Sequence, residues 1–143
     1  MTRRKIRETV FKILFGLEFN ETSEMEDQAE LEIESNTLFD DEQALESLDM
    51  SEEDKEYIKS RVVDIANHTE EIDKIIESIS KGWKLSRIGK AELAILRLAI
   101  YEMKYDDDIP VKVAINEALE LSKIYCDEEA KSFINALLAK IAD

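Results

Sequence analysis

The chain has 143 residues and a formal net charge of -15, from 34 Asp and Glu against 19 Lys and Arg. Three glycines and one proline are too few for the turns of a β sandwich, and the single Cys126 excludes an internal disulfide. This length suits one domain with enough chain to bury a core, in a reducing, cytosolic compartment.

The charge total argues against nucleic acid, but its distribution does not. Between Glu18 and Glu56 there are 17 acids against Lys55 alone, which leaves 17 acids and 18 bases over the rest of the chain. Most of the molecule is therefore near neutral, and its amino terminus is locally basic.

The first helix is expected from about Arg3 to Phe19. Ile6, Val10, Ile13, Leu14 and Leu17 recur at helical spacing and form a core stripe. Arg4, Arg7, Phe11 and Phe15 fall on an adjoining stripe. Two readings stay open: a solvated first turn whose phenylalanines pack in the core, or a basic face that meets an anion. Arginines at a helix N-terminus oppose the macrodipole, so a compensating anion such as phosphate fits there. Arg7, Glu8 and Lys12 break the apolar pattern, which predicts neither a signal peptide nor a membrane span.

Residues 20–50 are acidic and irregular. Met25 to Ile33 and Leu38 to Leu48 are each able to support a short segment, separated by Ser35-Asn36-Thr37. The acids read as a solvated, solubilising face that repels RNA and confines phosphate contacts to other surfaces. Ser51-Glu52-Glu53-Asp54 resembles a capping box and predicts the next helix start. Tyr57, Ile58, Val62, Ile65 and Ala66 supply its apolar stripe. Thr69 is expected to cap a further helix carrying Ile72, Ile75, Ile76 and Ile79, with Gly82 as its stop. Trp83 and Leu85 then fall in a short connection, where a Trp is best read as a packing anchor.

Ala91–Lys104 is apolar almost all round, with only Glu92, Arg97, Glu102 and Lys104 charged. Such a helix is buried on every side. The next begins at Pro110, whose fixed φ suits a first turn. It is one-sided: Val111, Ala114, Ile115, Ala118, Leu121 and Tyr125 form one arc, and Lys112, Asn116 and Lys123 another. After Cys126-Asp127-Glu128, the last helix carries Ala130, Phe133, Ile134, Leu137, Leu138 and Ile141 at core spacing. No stretch alternates like a strand, so the chain reads as all-α.

Enzyme and metal signatures are missing. His68 is the only histidine and has no nearby Cys or His, Cys126 has neither a CxxC partner nor an evident base, and Asp106-Asp107-Asp108 lacks the spaced ligands and glycine of a calcium loop. There is no Walker loop, dinucleotide fingerprint or nucleophile elbow. The expectation is no catalysis and no cofactor or metal.

Three segments go further: ILRLAIYEM at Ile95–Met103, IPVKVAINEALELSK at Ile109–Lys123 and KSFINALLAKI at Lys131–Ile141. They resemble the NusB family of bacterial transcription antitermination factors, as does the arginine-rich RRKIRETVFKILF at Arg3–Phe15. The resemblance spans nearly the whole chain outside Glu21–Met50. It implies one NusB-like all-α domain over residues 1–143, a compact arrangement of about seven helices in two small sub-bundles, roughly 1–80 and 81–143. It also implies a cytoplasmic RNA-binding factor for boxA-type sequences of ribosomal RNA leader transcripts. That factor acts with NusE, a small-subunit ribosomal protein, in an RNA polymerase antitermination complex, with no membrane partner.

By position, the family's RNA contacts fall on Arg3, Arg4, Lys5 and Arg7, on Lys112, and on the loop Tyr125–Lys131, where Tyr125 suits base stacking and Lys131 phosphate contact. The NusE contacts fall on Phe15, Glu92 and Arg97. Family members usually carry Gly where this chain has Cys126, often Ser at Ala130 and Gly at Ala136. The first change alters loop freedom. Members occur as monomers and homodimers, so self-association stays open. The alternatives are an acidic helical interaction module without RNA binding, and an accessory piece resembling the N-terminal part of larger RNA cytosine methyltransferases.

Overall fold

The computed structural model describes residues 2–18, 50–80 and 84–142. Five α-helices occur among them: α1 (Arg3–Leu17), α2 (Glu52–Ile79), α3 (Lys90–Tyr105), α4 (Val111–Tyr125) and α5 (Glu128–Ala142), with a 3-10 turn at Leu85–Arg87. No strand occurs among the described residues. None of the described helices is long and apolar enough to cross a membrane. The chain divides into two compact units, Met1–Ala66 and Asn67–Asp143.

In the first unit, α1 is started by Thr2, whose hydroxyl accepts the Lys5 N–H at 3.1 Å. Its core stripe is buried at Val10, Ile13, Leu14 and Leu17, together with Phe11. The Ser51 hydroxyl accepts the Asp54 N–H at 3.0 Å and starts α2, as the capping-box reading expects. Ile58, Val62 and Ile65 are then buried at helical spacing.

One expectation is overturned here. Thr69 caps no helix: α2 runs unbroken through it for 28 residues. The stretch Asn67-His68-Thr69 contains no Gly or Pro to break the hydrogen-bond ladder. The His68 ring also lies against Tyr105, with centroids 4.2 Å apart, and against Tyr101 at 5.9 Å. Two expected helices are thus one. The acidic short segments, Gly82 and Trp83 lie outside the described residues.

In the second unit, α3 is the core. Leu93, Ala94, Ile95, Leu96, Leu98, Ala99, Ile100, Tyr101 and Glu102 are all buried. Each fully buried Leu or Ile contributes about 1.5–3 kcal/mol of transfer free energy. Helices α4 and α5 pack against α3 and against one another. Helix α4 buries Ala114, Ala118, Leu121 and Ser122, while α5 buries Ala130, Ile134, Leu137 and Leu138. Val111, expected on the core arc, is 39% exposed because it opens α4 directly after exposed Pro110.

Two polar ties hold the Asn67–Ile79 part of α2 to α3. Arg97 donates through Nε and Nη2 to both carboxylate oxygens of Asp73, at 2.9 and 2.8 Å. The Tyr105 hydroxyl donates to Glu71 Oε2 at 2.7 Å, and this bond to a carboxylate raises the phenol pKa.

Candidate nucleic-acid interface

The expected site residues fall in both units. In the first unit, Arg3 and Arg4 are exposed in the first turn of α1, and Lys5 and Arg7 are half-buried. That turn contains no acidic residue, so both arginines stand at the positive end of the helix dipole. The Thr2 cap and the Thr9 hydroxyl, which donates to the Lys5 carbonyl at 2.8 Å, fix this turn in place. Lys5 faces Glu8, with Nζ to Oε1 at 3.8 Å. Arg3 and Arg4 are therefore the more accessible cations of this turn.

The adjoining aromatics have separate roles. Phe11 is fully buried, whereas Phe15 is half-buried, with its ring 5.9 Å from that of Phe11 at an interplanar angle of 30°. Phe11 is core. Phe15 keeps an accessible edge beside that core, which suits an apolar partner contact.

In the second unit, Lys112 is exposed in the first turn of α4. The expected loop of residues 125–131 is much shorter than the resemblance implies. Tyr125 is the last residue of α4, only Cys126 and Asp127 lie between helices, and α5 begins at Glu128. Asp127 is the cause, since its Oδ1 accepts the Ala130 N–H at 2.8 Å and its carbonyl accepts the Lys131 N–H at 3.0 Å. Lys131 is therefore a first-turn residue of a helix, and Ala130 is buried beneath it. Asp127, Glu128 and Glu129 put three acids between the half-buried Tyr125 and Lys131, which weakens the attraction of that corner for phosphate.

Glu92 and Arg97 lie on α3 in different settings. Arg97 is committed to Asp73, with side chains only 14% and 19% exposed. A forked guanidinium–carboxylate pair of this kind is chiefly structural. Glu92 stands three residues past the helix start at Gly89, and its carboxylate folds back there. A Cβ at Gly89 would meet Glu92 Oε1 at 3.0 Å. The Glu92 carboxylate also acts on Cys126. Burial, then Glu92, then Asp127 push that thiol up to about 11. Glu92, expected at a protein partner, thus belongs to the same corner as Tyr125 and Cys126. Residues so far apart in sequence give no local signal of this meeting.

A sequence model of the NusB family matches residues 4–143. The chain belongs to the NusB family. Transcription antitermination protein NusB of Agathobacter rectalis is 46% identical over 142 residues, covering 99% of this chain and 100% of that protein. Among solved structures, NusB of T. maritima is 30% identical with a TM-score of 0.80, covering 99% of this chain and 91% of that one. A chain of the crystal structure of antitermination factors NusB and NusE in complex with dsRNA is 28% identical with a TM-score of 0.71. The match covers 99% of this chain and 97% of that one. The all-α architecture is the one the NusB resemblance implies. The exposed Arg3 and Arg4 of α1, and Lys112 of α4, sit on a NusB fold that is matched along its whole length.

Proposed function

We propose that this chain is an RNA-binding transcription antitermination factor of the cytoplasm, not an enzyme. It binds boxA-type sequences in ribosomal RNA leader transcripts together with NusE, and the pair acts within an RNA polymerase antitermination complex that reads through terminators. The full-length likeness to a NusB chain family whose solved members include a complex with NusE and double-stranded RNA carries this reading. The geometry supports it through the acid-free first turn of α1, where Arg3 and Arg4 are exposed at the positive helix end.

In this reading Arg3, Arg4, Lys5 and Arg7 hold phosphates, Lys112 adds a contact, and Tyr125 and Lys131 contribute at the α4–α5 corner. Phe15 of the first unit and, separately, Glu92 of the second contact the protein partner, and Arg97, paired with Asp73, steadies the helix that carries Glu92. Replacing Arg3, Arg4 and Arg7 with Ala removes three cations. The expected result is weaker boxA RNA binding and a salt dependence shallower by about 0.7 in log–log slope for each lost single-strand phosphate contact. Unchanged affinity and slope in a filter-binding titration would overturn the assignment of these arginines.

A further inference from the structure

A second basic surface lies outside every residue so far given a role. From Ser78 to Ala91 the chain has no acid, although acids make up 34 of its 143 residues. Within that stretch, the described turn between α2 and α3 exposes Lys84, Ser86 and Arg87.

The turn is a built feature. The Arg87 N–H donates to the Lys84 carbonyl at 2.9 Å, and the Ile88 N–H to the Leu85 carbonyl at 3.1 Å. Ile88 is buried and Leu85 half-buried, so the apolar side of the turn is anchored and Lys84 and Arg87 face solvent. At a rise of about 2 Å per residue, the two cations stand about 6 Å apart along the turn, on the scale of neighbouring phosphates in a strand.

Several cations elsewhere are matched by acids one turn away on the same helix. Lys55 faces Glu52, Lys74 faces Glu70 and Lys123 faces Glu120. Among the described residues, Lys84 and Arg87 have no such ion pair. A chain at -15 does not need unmatched cations for solubility. The nearby start of α3 is not part of the surface, because the Glu92 carboxylate folds over it.

We propose that the Lys84–Arg87 turn is an additional contact for the RNA sugar–phosphate backbone, extending the bound strand beyond the assigned residues. It positions RNA and carries no base preference, since phosphate contacts report no sequence. The inference rests on the RNA-binding reading above.

The test uses the full chain with NusE, a boxA RNA lengthened by several nucleotides on each side, and anisotropy titrations over a salt series. In the variant Lys84→Gln with Arg87→Gln, affinity falls about ten-fold and the slope by about 1.4, two single-strand contacts. The control, Lys74→Gln with Lys140→Gln, changes net charge equally at exposed positions and leaves both quantities at their wild-type values. Equal losses in both variants reduce the effect to net charge and overturn the proposal. So does an unchanged slope in the first variant. Loss of NusE affinity with an unchanged RNA slope assigns the turn to the protein partner instead, and also overturns it. The Arg3, Arg4 and Arg7 variant separates the two levels. If it weakens RNA binding while the turn variant does not, only the turn proposal fails. If the wild-type complex does not bind RNA at all, both fail.

Discussion

Cys126 shows how a single neighbour decides what a residue can do. A thiol at its ordinary pKa reacts readily as the thiolate; this one is held up to about 11, by burial first and then by Glu92 and Asp127. At pH 8.5 almost all of it is protonated, so alkylation by iodoacetamide is slow. Glu92→Gln removes one of the two negative charges, lowers the thiol pKa and speeds alkylation at that pH. An unchanged rate would remove Glu92 from the Cys126 corner, and with it the geometric link between the proposed partner residue and the α4–α5 connection. The basic residues of α1 were readable from sequence because they are contiguous and stand at a helix start. The Glu92–Cys126 pairing was not, because it arises only when α3 and α4 pack. The commitment of Arg97 to Asp73 escapes sequence reading for the same reason, since nothing local ties residue 73 to residue 97.

At the scale of the element, the helices that dominate the core were the legible ones. Apolar residues all round Ala91–Lys104 leave no face for solvent, and α3 is buried accordingly. The break expected at Thr69 failed because Thr serves a cap and a helix interior alike. The choice depended on the absence of a breaker and on His68 packing against Tyr101 and Tyr105. The start of α5 turned the other way: an Asp at residue 127 converts an expected loop into helix. Asp127→Ala removes the cap and costs about 1 kcal/mol of stability. It also frees residues 128–131 to fray and loosens Lys131. Asp127→Asn keeps an accepting oxygen and most of the stability. Urea unfolding of the two variants measures the difference. Equal losses would mean that the charge, and not the hydrogen bond to the Ala130 N–H, holds the helix start.

For the whole molecule, charge is the controlling quantity. The assigned cations are few, and they work against 17 acids between Glu18 and Glu56. RNA approaching the chain alone meets a repulsive field at distances up to about a Debye length, near 10 Å at 0.1 M salt. A basic partner changes this in two ways: it offsets the field and adds phosphate contacts of its own. RNA and NusE should therefore bind with positive coupling, and linkage requires the same factor in both directions. Because the coupling is electrostatic, it should shrink as salt rises. An affinity gain from mutual contacts that are not charged would instead persist. Titrating boxA RNA into the chain with and without saturating NusE, at low and at high salt, measures both. The expected outcome is weak binding alone, tighter binding with NusE, and a ratio between the two that falls toward one with added salt. A ratio that stays constant across the series would place the coupling in packing at the partner interface, and a ratio of one throughout would remove NusE from RNA recognition by this chain.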